Sequence, residues 1–480
     1  MNRTSVLKFI ILCSFLAFSN TPATAQITPD NTLGAESSRI VPNGNIDKII
    51  DGGALRDHNL FHSFKEFNIN NGQSVYFNNP SGIENILTRV TGGNASNILG
   101  TLGVDGAANL FLINPNGILF GENARLDVQG SFVGTTAIGS QFVDQFNFIA
   151  TIPVAPVWLN VNPNALFFNQ LQTGKIENKS TAQLEDNLFG LRVPDGQSLL
   201  LVGGDINLDE GGLNALGGEL ELAGLAGEGE IGLKIDGNKL NLSIPDDVER
   251  ADISITNGGK LDVSAGGGGS ITINARNLEL KEGSQLLAGI REGLGTPEAQ
   301  AGDITINAAS KVLLDNQSYV SNDLKSGALG KAGNVSISTS SLEVLNGSQI
   351  FASTYGKGDA GNVTIKAIDL AKFDGEDNNG FLSGAASLIQ PGAEGRAGNV
   401  SISTGFLEVL NGAFLSASTF GKGDAGSVEI NATNSVKLDG ESQNGFPSGA
   451  VSQVVGAIGK AGGVSISTGS LEVLNGALLS

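Results

Sequence analysis

The sequence predicts an all-β fold, a parallel β-helix or β-solenoid, and three observations predict it. First, 68 glycines punctuate short runs of Val, Ile and Leu instead of collecting in a linker, the pattern of many short strands joined by turns. Second, the carboxy-terminal half repeats. Leu-Glu-Val-Leu-Asn-Gly begins at Leu342, Leu407 and Leu471, and Gly-Lys-Gly-Asp-Ala-Gly begins at Gly356 and Gly421, so the long period is 64 to 65 residues. Third, a shorter unit, a glycine followed by an alternating strand, begins at Gly269, Gly302, Gly333, Gly361, Gly398, Gly426 and Gly462, at intervals of 28 to 37 residues. A fixed long period built from short units of uneven length marks stacked coils whose insertions lie in loops.

Residues 1–25 have the three parts of a cleavable secretory signal: Arg3 and Lys8, the apolar run from Phe9 to Phe18, and the small-residue site Ala23-Thr24-Ala25 before Gln26. Such a signal addresses the chain to the Sec translocon. No later stretch approaches the roughly 20 apolar residues of a membrane-spanning helix. Cys13, the single cysteine, lies inside the signal, so the mature chain forms no disulfide and has no thiol for catalysis or zinc binding. Lys and Arg number 28 against 48 Asp and Glu, a net charge of −20 that repels nucleic acid and excludes it as a partner. Charged residues are nevertheless only 16% of the chain, too few for a disordered polyelectrolyte.

Residues 26–137 carry the strongest local motifs. Phe111-Leu112-Ile113 and Ile118-Leu119-Phe120 are apolar strands flanking Asn114-Pro115-Asn116-Gly117. In that turn Pro115 presets φ, while Asn116 and Gly117 tolerate the positive φ that a tight reversal can require. Before it come Asn59-Leu60-Phe61-His62-Ser63-Phe64, Val75-Tyr76-Phe77-Asn78-Asn79-Pro80 and Glu84-Asn85-Ile86-Leu87-Thr88-Arg89-Val90-Thr91-Gly92-Gly93. After it comes Gly130-Ser131-Phe132-Val133.

In this order the segments resemble the amino-terminal secretion (haemagglutination activity) domain of the filamentous haemagglutinin family, in a form similar to cyanobacterial members. The resemblance covers roughly residues 27–137. It implies a right-handed β-helix with an amino-terminal capping and secretion domain, and two-partner secretion. The partner is then an outer-membrane β-barrel transporter with periplasmic docking domains, through which the chain threads to the outer cell surface or the extracellular space. Asn114, Pro115, Asn116 and Gly117 match one of the family's two short Asn-Pro motifs. The other, Asn-Pro-Asn-Leu, is not present as such, and Asn79-Pro80 occupies the earlier strand-turn position. These six residues are the candidate secretion motif.

Residues 138–198 are less regular. Pro153, Pro156, Trp158 and Pro163 precede Phe167 and Phe168, which reads as an extension of the secretion domain or an excursion from the helix. From 199 to 480 the coils are regular. In one unit Val335 and Ile337 share a face, as do Leu342 and Val344 on the next strand, with Ser336 and Glu343 opposite. Ile350 or Phe351 marks a third strand, and Asn346-Gly347 and Gly356-Lys357-Gly358 are the turns. Each buried Val, Ile or Leu contributes roughly 1.5–3 kcal/mol, so the aliphatic columns outweigh any single surface pairing. The last repeat stops at Ser480 without the atypical coil that caps solenoids, which reads as a truncated rod.

Other candidate chemistry has plainer readings. His58 and His62 are four apart, but they sit in an extended segment without the glutamate of a zinc-protease motif. Asp374-Gly375-Glu376-Asp377-Asn378-Asn379-Gly380 recurs as Asp439-Gly440-Glu441-Ser442-Gln443-Asn444-Gly445, yet neither copy fits a calcium loop. Lys357-Gly358-Asp359 and Lys422-Gly423-Asp424 resemble attachment tripeptides and suit turns. Some β-helices are polysaccharide-acting enzymes, which need converging carboxylates on adjacent coils. Here the acids recur with the coils and fall in loops. The expectation is a secreted, non-enzymatic, adhesin-like exoprotein without cofactor or metal, displayed by its rod. An unidentified surface receptor or self-association is its further partner, and a structural filament or matrix component is the rival reading.

Overall fold

A computed structural model describes residues 26–480, apart from 45–46, 143–146, 157–161, 169–173, 237–238 and 457. The expected signal and Trp158 lie outside the described residues. The described chain is built of strands, with one short 3₁₀ turn at Glu185–Asn187.

The coils stack in parallel, and each has up to three faces. A column on the first face shows the register: Leu60 pairs with Ile86, then Leu110, Phe132, Leu199, Leu220, Ile271, Ile304, Val335, Val363, Val400, Val428 and Val464. Rungs about 4.8 Å apart leave no room between these side chains for water. Every one except Val464 is buried. The second face continues around a shallow bend, so that in the later coils both faces form one element, such as Val335–Leu345, with a register shift between Thr339 and Ser341. Val335, Ile337, Leu342 and Val344 point inward, and Ser336 and Glu343 are half-buried on the outside. The third face follows at Gln349–Phe351, where Ile350 is the inward residue. Asn346 and Gly347 turn the chain there with φ of 51° and 79°.

Two additions distinguish the first half. At the start, Ile27–Pro29 runs antiparallel to Asn59–Phe67, and Ser38–Asn43 and Asp47–Gly52 form a hairpin that extends the third face of the early coils. Further on the chain leaves the helix twice. Gly139–Phe142, Asn147–Ile149 and Pro163–Phe168 join the later hairpin of Gly229–Asp236 and Lys239–Ser243 in a five-stranded antiparallel sheet. This lateral sheet lies on the outer side of the first face and closes a second core there, containing Phe61, Leu87, Phe111, Val133, Leu200 and Val202. Between its two departures the chain returns to the helix: Ile176–Asn178 and Leu191–Arg192 complete the coil begun by Phe132–Thr135.

Candidate functional site

Asn114 to Gly117 forms a corner of one coil. The expected local turn is present, since Asn114 O accepts from Gly117 N–H at 3.1 Å. It is not the tight reversal anticipated. Asn109–Ile113 pairs with coils on the first face and Ile118–Phe120 with coils on the second, so the flanking strands do not pair with each other. Gly117 has the positive φ, 119°, whereas Asn116 does not. A Cβ at Gly117 would stand 2.9 Å from Lys175 O, against which the corner packs.

The asparagine side chains fasten this corner to the coil below. Asn114 is fully buried. Its Nδ2 donates to Asn94 O and Ser96 Oγ, both at 3.0 Å, and its Oδ1 accepts from Asn116 N–H at 3.0 Å. Asn116 Nδ2 donates to Gly92 O at 2.7 Å. On the other side Gly174 N–H donates to Pro115 O at 3.0 Å. Asn114 thus satisfies a bend that would otherwise bury unpaired backbone groups.

Asn79 and Pro80 sit elsewhere, at the corner leading from the third face of one coil into Asn85–Val90 on the first face of the next. Pro80 O accepts from Ile83 N–H at 3.2 Å. With its amide oxygen toward the neighbouring coil, Asn79 accepts from Ala107 and Ala108 N–H, each at 3.2 Å. The two Asn-Pro segments occupy different corners and make no single constellation.

Arg89 is a site residue that the sequence motifs do not mark. It is fully buried on the outer side of Asn85–Val90, beneath the lateral sheet. Nε donates to Ser63 Oγ at 3.0 Å, and the other nitrogens donate to Thr32 Oγ1 at 2.8 Å and Ile149 O at 3.0 Å. The guanidinium lies 4.3 Å from the centre of the Phe148 ring. Asp30 accepts from Thr32, Ser63 and Thr91 hydroxyls, so carboxylate and guanidinium share Thr32 and Ser63. Burial lowers the Arg89 pKa to about 10, with Asp30 opposing, and the group stays charged at neutral pH. This network ties the amino-terminal strand, two coils and the lateral sheet together. The visible signal was a single charge inside the otherwise uncharged strand Asn85–Val90.

The remaining candidates are dispersed. His62 is buried against Phe64 and Phe77, its Nδ1 3.0 Å from Ser38 Oγ, and burial lowers its pKa to about 3. His58 is exposed beside the Gly82 carbonyl and the Asp57 and Glu84 carboxylates, which hold it above its ordinary value. In the acidic loops Asp377 accepts from Asn379 and Phe381 N–H, and Asp374 accepts from Asn411 Nδ2 and pairs with Lys372. Asp359 pairs with Arg396 at 2.7 Å. Among the described residues no three His, Cys, Asp or Glu side chains converge as metal ligands. The rod's sides are not uniform. Phe381 and Phe446, 60% and 55% exposed, stand beside the third face, where Leu388, Phe414, Phe420 and Phe446 help line a groove of about 270 Å³.

Fold and corner geometry define a parallel β-helix with a capped, laterally covered first half. Residues 25–273, more than half the chain, match the TPS secretion domain, and the chain belongs to that family. It is therefore an exoprotein of two-partner secretion, exported across the outer membrane to the cell surface or extracellular space. The chain is 33% identical over 140 residues to the heme/hemopexin-binding protein of Haemophilus influenzae, covering 28% of this chain and 14% of that one. It is 32% identical over 138 residues to outer membrane protein B of Rickettsia prowazekii, covering 28% and 8%. Only a small part of either relative's length is thus matched. The crystal structure of the HMW1 secretion domain from Haemophilus influenzae superimposes with a TM-score of 0.59 at 18% identity, covering 92% of this chain and all of that one, a likeness of fold.

Proposed function

We propose that the chain is an adhesin-like, non-enzymatic exoprotein whose first half is read by a β-barrel transporter with periplasmic docking domains and whose later coils form a display rod. Residues 1–25 are the signal removed before Gln26, 26–137 the secretion domain, 138–198 its extension, and 199–480 the repeats. The observation that carries this reading is continuity: the first-face column runs from Leu60 within the matched family region to Val464 without a break. A module of this kind is the base of a rod. The differentiated side bearing Phe381 and Phe446 supports display over a uniform filament. In this reading the Asn114–Gly117 corner, with Asn79 and Pro80, holds the early coils in the form the transporter recognises.

The test replaces Asn116 and Gly117 together by valine and compares periplasmic with extracellular protein in cells carrying the partner barrel. The double change removes the bond to Gly92 O and places a β-branched residue at φ 119°. Signal cleavage stays intact and extracellular protein falls several-fold. Undiminished export would remove this corner from the recognition step.

A further inference from the structure

The outward column of the first face changes character at one residue. Phe61, Leu87, Phe111, Val133 and Leu200 stack on successive coils and are buried under the lateral sheet. The next rung is Glu221, and those after it are Thr272, Thr305 and Ser336. Glu221 is thus the first polar residue after this apolar run, yet it is still covered, with 5% of its surface exposed. Its cover is Lys239–Ser243, which pairs with Gly229–Asp236 on one side and is the edge of the lateral sheet on the other. On that open edge Leu240 N–H donates to Ser198 Oγ and Leu242 N–H to Glu221 Oε2, both at 2.9 Å. Side chains of the coil therefore cap the donors an edge strand leaves free.

The charges around Glu221 do not neutralise it. Glu219, on the same side of the same strand, pairs with Lys239 at 2.9 Å and accepts from Ser270 Oγ. Lys234 and Asp236 of the hairpin lie 3.8 Å apart in solvent. Leu200 and Thr272, its neighbours on the adjacent coils, carry no charge. Among the described residues Glu221 has one N–H donor, a like charge beside it and no cation of its own, and such a carboxylate is costly to bury.

We propose that Glu221 is a proton-operated latch: the paired strands Gly229–Asp236 and Lys239–Ser243 dock on the coil at the Lys239–Ser243 edge when Glu221 is protonated and loosen there when it ionises. Burial raises Glu221 from 4.5 to about 7, with Glu219 adding to the rise and the Leu242 N–H opposing it. An undocked hairpin returns the carboxyl to water and its ordinary value. Docking consequently takes up a proton between these values: it is tightest below about 4.5, weakens as pH rises toward 7, and is flat above. The whole window corresponds to a change in the docking equilibrium on the order of 10²-fold. Release at this edge would uncover Leu240 and free the Leu240 and Leu242 donors.

Hydrogen exchange on the full chain, corrected for the intrinsic pH dependence of exchange, tests the latch. From pH 4.5 to 8 the amides of Leu240 and Leu242 lose protection by about 10- to 100-fold in the native sequence. In Glu221→Gln, whose amide oxygen accepts from Leu242 without charge, protection stays high throughout. The strand Val335–Leu345 serves as an internal reference whose protection does not change. A flat native profile, a Glu221→Gln profile that follows the native one, or a parallel loss in Val335–Leu345 would each overturn the proposal.

Discussion

In Leu199–Gly203 every residue is buried, whereas in Val335–Leu345 inward and outward residues alternate between buried and half-buried. Leu199–Gly203 and the first part of Val335–Leu345 lie on the same face of the same helix, linked by the column from Leu199 to Val335. The difference lies outside. Leu200 and Val202 point away from the helix and pack under the lateral sheet, while Ser336 and Ser338 point the same way into solvent. Coil geometry thus fixes which positions face inward, and the number of covered sides decides what the alternate positions must be. Each extra covered rung adds roughly 1.5–3 kcal/mol of transfer free energy, which lets the first half pay for a buried arginine and a buried glutamate.

The sharpest way to break this comparison is to place a charge at matched positions. Leu200→Asp and Leu201→Asp each cost about 4 kcal/mol or more in urea unfolding, because both side chains are buried without a polar partner. In the later coils Val335→Asp is comparably harmful, while Ser336→Asp stays within about 0.5 kcal/mol. Equal tolerance at Val335 and Ser336 would overturn the register. A harmless Leu200→Asp would show that the lateral sheet is not a second layer of core.

Arg89 gives the next effect. Arg89→Met preserves apolar volume but strips donors from Ser63, Thr32 and Ile149 O, and it leaves Asp30 without its nearby cation. A loss of about 3 kcal/mol follows. Limited proteolysis distinguishes its site of action: early cleavage falls in the lateral sheet and amino-terminal strand, with the coils after Ser270 still resistant. Uniform susceptibility along the chain would contradict a local tie.

The repeating half was the more legible, and the physical reason is one-sided burial. Alternation at Val335, Ser336 and Ile337 reports both the strand and its inward side, and the repeated glycines report the stacking. Leu199-Leu200-Leu201-Val202 carried a different message, a strand covered on both sides, which became readable once the cover was known. That cover was hidden because Pro163–Phe168 pairs with Gly229–Asp236 more than 60 residues away, antiparallel and outside the parallel stack of coils. The Asn114–Gly117 turn was legible as local backbone. Its place as a coil corner was not, since turn chemistry does not say which strands the flanks will join.

The smallest predicted contrast sets two asparagine ladders against each other. In the first half Asn85 is buried, donates to Asn59 Oδ1 at 3.1 Å and Asn162 Oδ1 at 2.9 Å, and accepts from Asn109 Nδ2 at 3.0 Å. In the second, Asn362 is exposed, donates to Asn334 Oδ1 at 2.9 Å and accepts from Asn399 N–H at 2.9 Å. The bonds are similar in length, so their worth differs through what replaces them. Asn85→Ala removes three hydrogen bonds from a buried side-chain position and costs about 2 kcal/mol, whereas water takes over at Asn362→Ala and the loss is under about 1 kcal/mol. Urea midpoints of the two variants decide between burial and bond count. Equal losses would mean that the lateral sheet does not keep water from the first ladder, and the distinction between covered and bare coils would then fail for polar groups even if it held for apolar ones.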